Sequence, residues 1–73
     1  MSRLPILSGR EVIQALERLG YSLVRQRGSH VRLTSPGRKS VTVPDYKSID
    51  RSLLRKILRD AELTAEQFEE LLR

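Results

Sequence analysis

Seventy-three residues are expected to make one domain spanning residues 1–73, because a chain this short buries only about 60% of its unfolded surface and cannot enclose a cofactor. The sequence has no cysteine, which removes disulfides and thiolate metal sites. Its 14 Lys and Arg against 9 Asp and Glu give a formal net charge of +5. The excess is uneven: residues 1–59 hold 13 basic and 4 acidic side chains, whereas residues 60–73 hold 1 basic and 5 acidic. A basic body of this kind suits a phosphate-bearing ligand by releasing its counterions, although a solubilising surface excess explains the same numbers. No apolar run approaches the roughly 18 residues of a membrane span, and the start is too short for a signal peptide. A soluble, cytoplasmic protein without membrane contact is expected.

Ser8-Gly9-Arg10-Glu11 reads as a capping box. Val12, Ile13, Leu16 and Leu19 then recur at helical spacing until Gly20 ends the helix. Tyr21 to Arg27 alternates, with Tyr21 and Leu23 on one side and Ser22 and Val24 on the other, and Gly28 breaks the run as a hairpin turn. Ser29 to Thr34 alternates more cleanly: Val31 and Leu33 share one face, and His30, Arg32 and Thr34 the other. A turn at Ser35-Pro36-Gly37-Arg38 leads to a third strand, Ser40 to Val43, which Pro44 closes. Asp50 caps a helix with an apolar stripe of Leu53, Leu54, Ile57 and Leu58 and a basic stripe of Arg51, Arg55, Lys56 and Arg59. Thr64-Ala65-Glu66-Gln67 is a second capping box, opening a short helix with Phe68, Leu71 and Leu72 on one side. The order α-β-β-β-α-α implies an α+β fold, a three-stranded antiparallel sheet with helices on one face and the other face open.

That open face receives His30, because Val31 and Leu33 must meet the helices and a two-residue period turns His30 and Arg32 outward. Histidine is the side chain whose ordinary pKa, about 6.5, lets it give or take a proton at neutral pH. RNA brings its own nucleophile, the 2′-hydroxyl, so one imidazole and several guanidinium groups are the minimum set with which a protein could cleave it. Arg25 and Arg27 share a strand face two residues apart, and with Arg32 they lie near His30 in the chain. The Gly28-Ser29 backbone offers N–H groups to a phosphate, or is simply the hairpin turn. A lone histidine without a second ligand at coordinating spacing makes no metal site. Asp45 and Asp50 sit where a turn and a cap explain them, which leaves no Ser-His-Asp triad. Catalysis, RNA binding without turnover, and a basic docking face for an acidic protein all remain open on these residues alone.

Four segments narrow the choice: Leu16-Glu17-Arg18-Leu19-Gly20-Tyr21, Val24-Arg25-Gln26-Arg27-Gly28-Ser29-His30, Val41-Thr42-Val43-Pro44 and Leu54-Arg55-Lys56-Ile57-Leu58-Arg59-Asp60-Ala61. Together they resemble the HicA family of toxin mRNA interferases, from about Ser8 to Leu72, most specifically in the Gly-Ser-His turn. The resemblance implies a double-stranded-RNA-binding-domain-like α-β-β-β-α fold, here with a short extra C-terminal helix. It implies an endoribonuclease toxin of a type II toxin–antitoxin system that cuts mRNA through the histidine matching His30, with no metal or small-molecule cofactor. Arg25, Arg27, Gly28, Ser29 and Arg32 would hold the RNA, and a HicB antitoxin would bind and mask the toxin. The alternative is a non-catalytic RNA-binding module of the same fold. Where many members carry a second histidine after Val-x-Val-Pro, this sequence has Asp45-Tyr46-Lys47; where a helix-ending glycine is usual, it has Glu62, which sets up a mildly strained left-handed cap.

Overall fold

The computed structural model describes residues 4–73. Met1, Ser2 and Arg3, with the sequence expectations that rest on them, lie outside the described residues. Elements follow the predicted order: α1 (Gly9–Leu19), β1 (Ser22–Arg27), β2 (His30–Thr34), β3 (Val41–Pro44), α2 (Arg51–Asp60) and α3 (Ala65–Leu72). The strands form one antiparallel sheet in the order β1-β2-β3.

Each helix starts where a side chain takes up orphan backbone donors. The Ser8 hydroxyl accepts from the Glu11 N–H at 3.1 Å, and the Glu11 carboxylate accepts from the Ser8 N–H at 2.9 Å. Thr64 and Gln67 make the same reciprocal pair at 3.0 and 2.8 Å. Asp50 accepts from the Leu53 N–H at 2.8 Å. At its other end α1 closes on Gly20, whose φ of 119° is left-handed, with the N–H groups of Gly20 and Tyr21 donating back to Glu17 and Leu16. α2 closes the same way on Glu62, φ 59°, with Glu62 and Leu63 donating to Arg59 and Leu58. A side chain in that conformation costs roughly 1–2 kcal/mol, which two carbonyl bonds help offset.

The core lies between the sheet and the helices. Val12 and Leu16 of α1, Val31 and Leu33 of β2, Val41 and Val43 of β3, Leu54 and Ile57 of α2 and Phe68 of α3 are all 2% exposed or less. Phe68 is fully buried, so α3 closes this core and does not stand apart from it.

Two features depart from the sequence expectation. α1 and α2 pack against β3, while β1 contacts chiefly β2, so the first strand overhangs the helix layer and all six of its residues are exposed. Leu23, expected to share a side with Tyr21, is 45% exposed while Tyr21 is 2% exposed. The alternation of β1 also breaks at a bulge between Leu23 and Arg25.

Gly9 explains how the chain after β3 is held. A Cβ there would lie 2.0 Å from the Pro44 carbonyl oxygen and 2.9 Å from the Asp45 Cα, so only glycine admits this approach. Its N–H donates to the Tyr46 carbonyl at 2.8 Å, and the Asp45 N–H donates to the Ser29 carbonyl at 2.6 Å. The exit of β3 is thereby tied to both the helix start and the β1–β2 turn.

Candidate functional site

The bulge decides what the open sheet face carries. Leu23 lies opposite Leu33, on the side of the core. Unbroken alternation from Leu23 would carry Arg25 and Arg27 to that same side, away from His30. Because Val24 is the extra residue, Arg25 instead falls opposite Arg32 and Arg27 opposite His30. β3 then brings Thr42 beside Arg32 and Pro44 beside His30. The outer face thus has one row of Arg25, Arg32 and Thr42 and a second of Arg27, His30 and Pro44. Neighbours within a row are about 5 Å apart at Cβ and the rows about 7 Å apart.

These side chains enclose an open groove of about 130 Å³ lined by Arg25, Arg27, His30, Arg32 and Thr42. Arg32 is oriented across the strands by donating to the Thr42 hydroxyl at 3.0 Å. No carboxylate lies among the lining residues. Like charges set directly opposite each other, as Arg25 and Arg32 are, destabilise a sheet. An anion in the groove relieves that repulsion, and arginine's planar fork matches phosphate oxygens in pairs.

The two aspartates that follow β3 have other partners: the Asp45 carboxylate pairs with Arg10 at 3.1 Å, and Asp50 caps α2. Among the described residues no group of three His, Cys, Asp or Glu is placed to hold a metal ion. Among the described residues no helix is long and apolar enough to cross a membrane.

Of the residues marked out by the sequence, His30, Arg25, Arg27 and Arg32 come together in the groove, whereas Gly28 and Ser29 form the turn at its end. Gly28 takes φ 55° with nothing within 4 Å of where a Cβ would sit, so its glycine answers the turn's backbone geometry and leaves the approach open. The Gln26 amide donates to the Gly28 carbonyl at 3.1 Å and steadies that turn. Thr42 is the residue the sequence reading missed. Its signal was present in Val41-Thr42-Val43, where two inward valines turn the threonine outward beside Arg32. Tyr46, 46% exposed, does not line the groove.

The fold and groove define a small basic α+β protein whose bare sheet face gathers one imidazole and three guanidinium groups around an anion-sized space. Residues 9–63 match the family described as the HicA toxin of bacterial toxin–antitoxin pairs. The chain therefore belongs to the HicA toxin family. Among solved structures it is similar to a chain of a toxin–antitoxin complex from Streptococcus pneumoniae, with a TM-score of 0.69 and 22% identity over 78% of this chain and 98% of that one. That likeness is one of fold. No curated protein matches the sequence.

Proposed function

We propose that this HicA-family toxin is a metal-independent endoribonuclease that cuts mRNA in the cytoplasm, with His30 as its proton-transfer group. The observation that carries the reading is the convergence of Arg25, Arg27 and Arg32 on His30 in a groove without a carboxylate. A phosphodiester laid there meets guanidinium groups at its non-bridging oxygens. His30 takes the proton of the ribose 2′-hydroxyl as that oxygen attacks phosphorus, and the P–O5′ bond breaks. The departing 5′-oxygen takes up a proton from the imidazolium or from water, and the cut strand ends in a 2′,3′-cyclic phosphate and a 5′-hydroxyl. The arginines stabilise the added charge on the five-coordinate phosphorus, the part of such reactions that preorganised donors usually dominate. Positioned acid–base catalysis contributes about 10²–10⁴-fold in rate.

A protein that masks this groove must also satisfy its positive charge, so an acidic antitoxin of the HicB type is the partner we propose. Substrate chemistry gives a direct test. An RNA in which the sugar at the cut site lacks its 2′-hydroxyl should bind the protein and stay intact, while the all-ribose strand is cleaved. Cleavage of both at the same rate would exclude attack by the 2′-oxygen. Binding of both with cleavage of neither would make this a non-catalytic RNA-binding module.

A further inference from the structure

Resting on the reading of the groove as an RNA site, we infer that the outer face of α2 is a second RNA-backbone site, which holds the strand beyond the cut through Arg55 and Arg59. Along α2, Arg51, Arg55 and Arg59 repeat every four residues and form one row, with Lys56 beside it. Leu54, Ile57 and Leu58 are buried along the neighbouring stripe, so the basic row runs along the exposed flank of the helix, with Lys56 turned furthest from the core. All four basic residues are exposed.

The arrangement works against the helix that bears it. Like charges four residues apart each cost a few tenths of a kcal/mol, and the first turn of α2 holds no acid and an arginine where the helix dipole favours an anion. Some of this charge is used locally: Arg51 donates to the Leu4 carbonyl at 2.8 Å, and Lys56 pairs with Asp60 at 3.8 Å. Arg55 and Arg59 have no carboxylate within 4 Å among the described residues. Neither Glu62, just past the end of α2, nor Glu66, Glu69 and Glu70 on α3 make an ion pair with them. An uncompensated row of guanidinium groups one turn apart fits a polyanion whose charges recur along a line, as RNA phosphates do.

This row is not part of the groove. The groove opens on the sheet's bare face, lined by residues of the strands alone, and α2 belongs to the helix layer on the other face. A dinucleotide held in the groove is too short to reach α2 as well, whereas a longer strand passing around an edge can meet both.

The test uses His30→Ala protein, so that RNA stays intact, with and without Arg55→Gln and Arg59→Gln. Binding is measured against salt for a dinucleotide, too short to leave the groove, and for a single-stranded RNA many times longer. Both glutamines suit a helix, and the like-charge repulsion they remove offsets the favourable place of Arg59 in the last turn, so the double variant should melt close to its parent. The double variant should bind the short RNA as the parent does. On the long RNA its log–log salt slope should be shallower by roughly 1.4, about 0.7 for each phosphate no longer neutralised. Between 50 and 200 mM salt the parent should therefore lose about sevenfold more affinity than the double variant. Unchanged slope and affinity on the long strand would overturn the α2 site and leave an acidic protein as the occupant of that face. Equal loss on both lengths would overturn it too, as a diffuse effect of charge. If His30→Ala protein with its arginines intact binds neither RNA, the groove reading itself falls first.

Discussion

At the scale of single residues, Tyr21 shows how a buried polar group ties stability to pH. It is 2% exposed, and its hydroxyl donates to the Lys39 carbonyl at 2.8 Å. Burial pushes its pKa above the ordinary value of about 10, against the opposing pull of the Arg38 guanidinium. The folded protein thus keeps the phenolic proton at a pH where the unfolded chain has released it. Its contribution is complete below about pH 10 and is lost as pH rises through the folded-state value. Tyr21→Phe should therefore cost about 1 kcal/mol at neutral pH through the lost hydrogen bond, a drop of about 4–8 °C in melting temperature for a domain this small. Between about pH 9 and about pH 11 its stability should then fall less than the parent's. Thermal melts across that range check this, and parallel curves for the two proteins would contradict it.

At the scale of elements, the bulge in β1 sorts the site residues onto one face. Deleting Val24 leaves Leu23 opposite Leu33 and Arg25 opposite Arg32 with no residue to spare. The shortened protein should consequently fold with its groove intact and keep its activity on RNA. Loss of that activity in a folded deletion variant would mean that the site also needs the extra twist a bulge supplies. Much of this level was readable in the residues. The caps at Ser8, Asp50 and Thr64 start their helices as expected, and Val31 and Leu33 fix the outward direction of His30. The left-handed Glu62 was legible through the family resemblance alone, which sets Glu62 where a helix-ending glycine is usual. The bulge was not, because Leu23-Val24-Arg25 satisfies simple alternation as well as an interrupted one, and only pairing with β2 selects between them. The overhang of β1 was also hidden. A strand's apolar side chains look the same in sequence whether or not a helix reaches them, which is why Leu23 reads as core and sits in solvent.

At the scale of the whole molecule, charge and topology divide the labour. Helices on one side supply the core, and the bare sheet face is left to carry unpaired cations that would be costly in the interior. A chain of 73 residues has little surplus stability, so opposed arginines and a basic helix row are tolerated where a ligand relieves them. The family places this protein in a toxin–antitoxin pair. The central claim is that His30 turns a phosphate-binding face into one that cleaves. The most direct measurement compares purified, folded wild type and His30→Ala on single-stranded RNA in the presence of a metal chelator. Wild type should cut, and His30→Ala should bind the RNA yet cut it at least about 10²-fold more slowly. Cleavage by His30→Ala at the wild-type rate, or none by wild type once metal is removed, would contradict the account.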